Sequence, residues 1–385
     1  MFVYLDNSST TRQDPQVTRL MCRIMEENFG NPSSLHRLGL EAEKLMKKAR
    51  QQVAQSMGAA AGEIFFTSGG TEADHIAIMG SARALKRMGN KIITSQVEHP
   101  AVLENFRALE QEGFQAVYLD VDEKGVIDLK QLEAELDENT VLVSLMQVNN
   151  ELGSLEPVEQ AGALIKKRSR ANFHIDAVQG LGKLPVDPSS VKADLVAVSA
   201  HKIHGPKGCG ALYMKKGTRL KSPVYGGGQE QGIRSGTENL PGDAGFGLAS
   251  ELAAKEFSRR NQAMKEARRY LLEGIKAEIG DVRINSFEDE RCVASVLNVS
   301  FLGTRGEVLL HMLEQKEIYV STGSACSSHH KGQSHVLKAA GLSEEEMEGA
   351  IRFSFSHENT RQQMEYTLEQ LKKAVESMRR VIRRK

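Results

Sequence analysis

From Glu63 to about Met214, short apolar runs rich in β-branched residues alternate with stretches of helical periodicity. The runs Ile64–Thr67, Lys91–Ser95, Ala116–Leu119, Val141–Val148, Phe173–Asp176, Leu195–Ser199 and Gly210–Met214 read as strands. Amphipathic patterns over Glu72–Met88, Ala101–Gln111, Leu129–Leu136 and Val158–Ser169 separate most of them. Strands that are apolar on both faces and joined by helices predict an α/β unit: a mostly parallel, seven-stranded sheet covered on both sides. Ligands of such sheets gather at the carboxyl ends of the strands, so the residues just past each run become the candidates for chemistry.

Beyond this region the pattern changes. Asp243–Glu278 reads as one long helical region. It is followed by a strand at Ala294–Phe301, a helix at Gly306–Gln315, strands at Ile318–Ser321 and Ile351–Ser356, and a terminal helix. This predicts a large domain over 1–255 and a smaller α+β domain over 256–385, with roughly the first 15–30 residues packing against the small one. The opening MFVYLDNSST reads as a short strand entering a turn, because no basic stretch leads into an apolar one as in a signal peptide. No run of about 18 uncharged apolar residues occurs, so no membrane span is predicted.

Composition narrows the partners. A length of 385 residues suits two domains or one large α/β unit. Lys and Arg together number 50, as do Asp and Glu, so the net charge gives no reason to expect nucleic acid or an anionic membrane as a partner. The basic run Met378–Lys385 ends a predicted helix, where cations complement the negative end of the dipole. Cys22, Cys209, Cys292 and Cys326 are scattered without a CxxC pair. That argues against a disulfide framework or structural zinc, predicts no metal, and points to the reducing cytoplasm.

Three strand-end features carry candidate chemistry. Strand Ile64–Thr67 runs into Ser68-Gly69-Gly70-Thr71-Glu72 and then a helix. Glycines let the backbone approach a ligand, and a helix N-terminus offers free N–H groups to a phosphate. A Gly turn with Thr71 as helix N-cap is the plainer alternative. Strand Leu195–Ser199 delivers Ser199, His201 and Lys202 to the ligand edge before Gly205-Pro206 breaks the chain. A lysine there can be desolvated and prepared for Schiff-base chemistry. Lys207 lies past the break and reads as a loop residue. Asp176 ends strand Phe173–Asp176, where a carboxylate could keep a pyridine nitrogen protonated. A phosphate cradle, a carboxylate and a lysine in that chain order are hard to explain as packing.

These residues resemble the fold-type I enzymes that use pyridoxal 5′-phosphate, in the class V aminotransferase family. The likeness narrows to the cysteine desulfurases of the NifS/IscS kind. It rests on YLDNSSTT at Tyr4–Thr11, FGNPSSLH at Phe29–His36, FTSGGTEA at Phe66–Ala73, VEHPAV at Val97–Val102 and VNNELG at Val148–Gly153. It continues through HIDAVQ at His174–Gln179, SAHKIHGPKG at Ser199–Gly208, GGGQEQGIRSGTEN at Gly226–Asn239, STGSACSS at Ser321–Ser328 and IRFSFS at Ile351–Ser356. The resemblance implies that Lys202 forms the Schiff base, Asp176 meets the pyridine nitrogen, and His99 stacks on the ring and moves protons. It places Gln179 and Asn150 at the phenolic oxygen, with Asn150 also near substrate. Gly70, Thr71, Ser199 and His201 hold the phosphate, and Thr237 completes that cup from the partner of a homodimer. Arg352 grips the substrate carboxylate, a task suited to a planar guanidinium. Structural readings stand beside two of these: His99 as a satisfied packing residue, and Asn149 and Asn150 as turn residues.

Cys326 sits among small, polar and Gly-rich residues, which predicts an exposed loop. Neighbouring His and Lys favour its thiolate, the reactive form. Cys209, in an apolar strand-like stretch, reads as inert, and Cys22 and Cys292 are assigned to packing. The stretch around Cys326 resembles the desulfurases whose cysteine rides on a mobile loop. His329, His330 and His335 are read as tuning the thiol or as solvated, with binding of a metal or part of a cluster the less favoured alternative because a Cys and three His on a mobile loop lack a fixed ligand geometry. The implied activity converts L-cysteine to L-alanine, leaving a persulfide on Cys326 for a thiol on a sulfur-acceptor protein. Iron–sulfur cluster assembly, tRNA thiolation and cofactor sulfuration are the implied destinations. The rivals are an aminotransferase or selenocysteine lyase on the same fold, and an inactive docking platform. Neither enzyme needs Cys326 in this form, and a platform needs none of Lys202, Asp176, His99, Cys326 and Arg352.

Overall fold

The computed structural model describes residues 1–322 and 333–382. Its twelve strands are β1 (Val3–Tyr4), β2 (Ile64–Thr67), β3 (Lys91–Ser95), β4 (Gln115–Leu119), β5 (Thr140–Met146), β6 (Asn172–Asp176), β7 (Leu195–Ser199), β8 (Gly210–Met214), β9 (Val282–Ile284), β10 (Val296–Phe301), β11 (Ile318–Tyr319) and β12 (Ala350–Ser354). Seven of them form one sheet in the order β2-β8-β7-β6-β5-β3-β4. Only β8 runs antiparallel to its neighbours, β2 and β7. The other pairings are parallel, with Met146 opposite Asp176 and Asp176 opposite Ala197. This register gathers the carboxyl ends of β5, β6 and β7 at one edge. Every residue of β2, β3, β5, β6 and β7 is buried, as both-face apolar runs require. The edge strand β4 is half-exposed.

Two helices precede β2: Pro15–Glu27, where Cys22 lies in a helical pattern of the sequence, and Arg37–Ser56, which the sequence reading did not place. Asp14 starts the first as N-cap, its carboxylate accepting from Gln16 N at 2.7 Å, with Pro15 in the first turn. Both pack on the helix Leu240–Lys255. The stripe that Arg37–Ser56 buries is Gly39, Ala42, Met46, Ala49, Val53 and Ala54, mostly small side chains at helical spacing opposite a polar face. Cys22, expected in packing, is exposed: the first helix buries Val17 and Ile24 instead.

The predicted long helix Asp243–Glu278 is two helices, Leu240–Lys255 and Phe257–Glu278, broken at Glu256. The first buries Ala244, Phe246, Ala249 and Ala253 in the apolar cluster beneath the large sheet. The second buries Met264, Ala267, Leu271, Leu272 and Ile275 in another cluster with β10, β12 and the C-terminal helix Arg361–Ile382. One straight helix could not present both stripes to two cores. Val3 and Leu5 belong to the second cluster, because β1 pairs with β11, whereas Val17 and Ile24 belong to the first. Among the described residues no helix is long and apolar enough to cross a membrane.

Glu156 is buried beneath the edge of the sheet. One carboxylate oxygen accepts from Ile127 N at 3.1 Å, and the other has no partner among the described residues. Burial, with Asp122 nearby, pushes its pKa up to about 8. The folded chain therefore holds this proton more tightly than the unfolded chain does. Its contribution to stability is complete below the ordinary carboxyl range and fades as pH rises toward 8. Glu156→Gln removes that loss. Its stability should match the parent's near pH 4 and exceed it increasingly up to pH 8, by on the order of 2 kcal/mol there. Thermal melts across that range check it.

Candidate active site

The carboxyl ends of the strands open into a cavity of about 260 Å³. Gly70 and Thr71 follow β2, His99 follows β3, and Met146, Val148 and Asn150 come from the end of β5 and beyond. Asp176, Val178 and Gln179 come from β6, and Ser199, His201 and Lys202 from β7. Ser8, Ser9, Asp74 and Arg352 close it. Nearly every candidate from the strand ends thus meets in one place. Thr237 does not: it is exposed and lines a separate crevice with Phe66, Ser68, Gly208 and Glu230. Cys326, His329 and His330 lie outside the described residues.

At one end lies the glycine turn. The helix after β2 is Gly70–Leu85, preceded by Gly69, so Thr71 is not its N-cap but a first-turn residue with an exposed side chain. A Cβ on Gly70 would stand 2.6 Å from Val178 Cγ2, so only glycine lets the turn close against that wall. A second hollow, of about 370 Å³, opens beside this turn and is lined by Thr10, Ser68, Thr71, Ser199, His201 and Lys207. Lys207 therefore sits at the mouth and does not line the main cavity. His201 Nδ1 lies 3.1 Å from Thr10 Oγ1, and burial with Lys202 lowers its pKa to about 4.

At the cavity wall Asp176 accepts from Val178 N at 2.9 Å. Burial and the neighbouring Asp74 raise its pKa to about 7, with His174 and Lys202 pulling the other way. Asp74 is itself pushed up to about 8 by burial. His174 Nε2 lies 3.4 Å from Asp74 Oδ1, yet among the described residues neither atom makes a hydrogen bond. Burial lowers the His174 pKa to about 4, so a neutral ring beside a neutral acid describes this contact better than an ion pair. His174 Nδ1 instead meets Ser144 Oγ at 2.8 Å.

His99 does two things. Its Nδ1 accepts from Ala101 N at 3.1 Å, capping the helix Pro100–Gln111. That bond leaves the proton on Nε2. Burial, then Lys202 and His335, lower its pKa to about 4, so the ring in the cavity is neutral. The structural reading of His99 and the catalytic one are therefore compatible.

Lys202 leaves β7 through the turn Ala200–Lys202, and its Nζ donates to the Ser8 and Ser9 carbonyls. Gln179 Nε2 donates to the same Ser8 carbonyl at 2.9 Å, and Gln179 Oε1 accepts from Lys183 Nζ at 2.8 Å. Burial, with Lys202 and Arg352, lowers the Lys183 pKa to about 7. Arg352, 3% exposed in β12, donates to Asp6 Oδ1 at 2.9 Å, Ser9 Oγ at 2.8 Å and the Asn150 carbonyl at 3.0 Å. Its Nε is buried with no partner among the described residues. Asn149 is the turn residue of its pair, since its Oδ1 accepts from Glu151 N and Leu152 N, while Asn150 lines the cavity. Ser8, Ser9, Asp74 and Lys183 were not singled out from sequence. Lys183 carried one usable signal, its place four residues after Gln179.

His335 begins the helix His335–Ala339, and its Nε2 lies 2.9 Å from the Glu98 carbonyl, next to His99. Ser334 Oγ donates to Glu151 Oε2 at 2.6 Å. Cys209 is buried and its thiol is pushed up to about 12. Burial also raises the Cys292 thiol.

With this constellation gathered at the carboxyl ends of the parallel strands, the chain belongs to the aminotransferase class-V family, whose profile matches residues 3–367. Its relatives are cysteine desulfurases. "Cysteine desulfurase IscS" of Clostridium botulinum (strain Hall) is 42% identical over 378 residues, covering 98% of this chain and 95% of the relative. The protein of the same description from Methanosarcina thermophila is 41% identical over 377 residues, covering 98% and 93%. Among solved structures, a NifS-like protein matches with a TM-score of 0.92 at 39% identity, over 98% of this chain and all of that one. A structure described as SspA in complex with cysteine matches with a TM-score of 0.81 at 32% identity, over 93% of this chain. The sequence reading of a fold-type I, NifS/IscS-type cysteine desulfurase stands.

Proposed function

We propose that this enzyme converts L-cysteine to L-alanine and a persulfide on Cys326, using pyridoxal phosphate held by Lys202. One observation carries the proposal: a single cavity gathers the glycine turn, Asp176, His99, Lys202 and Arg352 from five separate segments. The residues present fit the cofactor. A turn that only glycine can close suits a phosphate, and a buried carboxyl with one open oxygen suits a protonated ring nitrogen. A lysine at the rim suits the aldehyde. When bound, pyridoxal phosphate supplies the electron sink for charge developing on the substrate.

The side chains supply the rest. Asp176, raised to about 7 without the cofactor, becomes a carboxylate beside a cationic nitrogen, because an opposite charge reverses the effect of burial. His99, neutral with its proton on Nε2, would lie against the ring and could pass that proton. Gly70, Thr71, Ser199 and His201 would hold the phosphate, and Asn150 and Gln179 would meet the phenolic oxygen. Arg352 presents its guanidinium, already oriented by Asp6 and Ser9, to the substrate carboxylate. Lys202 moves the α-proton. The Cys326 thiolate then attacks the substrate sulfur: the S–S bond forms, the carbon–sulfur bond breaks, and the electron pair stays on carbon. A proton matching the one lost by the thiol completes alanine. The placement of Thr237 outside its own chain's cavity supports a homodimer in which it reaches the partner's phosphate site. The persulfide passes to a thiol on an acceptor protein, in a cytoplasm that keeps the thiols reduced.

The test is release of alanine and sulfide from L-cysteine by cofactor-loaded protein with an excess of thiol reductant. Equal amounts of both are expected. Keto-acid formation without sulfide would replace this reading with an aminotransferase.

A further inference from the structure

On the cofactor reading given above, we propose that Lys183 is a positioning residue: it holds the Gln179 amide so that Nε2, not the carbonyl, faces the cofactor's phenolic oxygen. An amide side chain is two-faced, and neighbours decide which end points where. Here two neighbours agree. The Ser8 carbonyl can only accept, and it receives Nε2 at 2.9 Å. Lys183 Nζ donates in either of its charge states, and it meets Oε1 at 2.8 Å. Turning the amide over would set two acceptors against each other at the Ser8 carbonyl, and two donors against each other at Lys183 while its amine is charged. In the observed orientation Nε2 keeps a second N–H for the cavity that Gln179 lines.

The turn is built for this contact. Gly182 adopts φ +73°, and a Cβ there would stand 3.0 Å from Ile203 Cγ2 and 3.2 Å from Ala253 Cβ. The turn thus seats tightly, bringing Lys183 back onto Gln179 four residues earlier. Packing does not account for a lysine here. Lys183 is 8% exposed, and among the described residues its hydrogen bond goes to a neutral amide. The charges facing it, Lys202 and Arg352, are both cations. Arg260, His204 and His357 line the same cavity of about 30 Å³, and Arg260 is already paired with Glu256 at 2.8 Å. Methionine would fill the space without the desolvation penalty. What methionine cannot do is hold the amide.

The test is a double-mutant cycle on cofactor-loaded protein, read by the pH midpoint of the cofactor's absorption band. Donation from Nε2 favours the form in which the phenolic oxygen carries full negative charge, so its loss moves the midpoint up. Lys183→Met should raise it by about half to one pH unit, with melting temperature unchanged or higher. Gln179→Leu should raise it comparably, and the double variant no further than Gln179→Leu alone. An unmoved midpoint in Lys183→Met overturns the proposal. So do additive shifts, which would mean that Lys183 acts through its charge rather than through Gln179. If the parent shows no band that Lys202→Ala abolishes, the cofactor reading itself fails, and this one falls with it.

Discussion

Lys202→Ala should abolish turnover of L-cysteine, with a loss of at least about 10³-fold, and should leave no cofactor on the protein after desalting. The expectation rests on which amines reach the cavity. Lys202 lines it; Lys183 and Lys207 do not. Lys183 is tied to Gln179, and Lys207 stands at the mouth beside the glycine turn. Neither can take over attachment without rebuilding the site. The fold should survive, because Lys202 donates to the Ser8 and Ser9 carbonyls from a half-buried position. Absorbance after desalting, and the mass of the borohydride-reduced protein, check attachment; a thermal melt checks the fold. A retained band would move attachment to another lysine and remove Lys202 from the proposed chemistry.

The sheet was legible because strands buried on both faces leave unbroken apolar runs, and all seven runs became strands of one sheet. The helix Arg37–Ser56 was missed although its buried residues recur at helical spacing, because it precedes the alternation of strands and helices that marks the sheet. The break at Glu256 was missed for a different reason. The first half is buried on nearly every side and only the second is amphipathic, and the placement of two cores shows that the halves serve different clusters. The site was legible where function sits at the end of a strand, as with Asp176, Ser199, His201 and Lys202. Ser8 was not, since its contribution is a main-chain carbonyl that any residue could provide. Asp74 faces the cavity from inside a helix that reads as ordinary packing. Arg352 was legible as an anomaly: a cation in an apolar strand needs partners, and Asp6, Ser9 and Asn150 are those partners.

Cys326→Ser should stop both alanine and sulfide release, by at least about 10³-fold, while cofactor content and melting temperature stay at parental values. Cys326 lies outside the described residues, so the case is made by the other thiols and by the described residues on either side. Cys209 is buried with its thiol pushed up to about 12, which leaves almost no thiolate near neutral pH. Cys292 is buried under the Leu152 and Val296 carbonyls, and burial raises its thiol too. Cys22 is exposed on the helix Pro15–Glu27, which contributes no residue to the cavity. None of the three can replace a nucleophile at the substrate sulfur. The flanking residues lead back to the site. Ser321 exchanges backbone hydrogen bonds with Arg352, Ser334 is bound to Glu151, and His335 meets the carbonyl of Glu98 beside His99. Serine keeps the size of the side chain and removes the polarizable thiolate that bonds sulfur, so structure and cofactor should be untouched. Loss of both products with an intact cofactor band would place Cys326 at the sulfur-transfer step. Undiminished alanine would mean that the carbon–sulfur bond breaks without it, as in a lyase that releases sulfur directly to solvent.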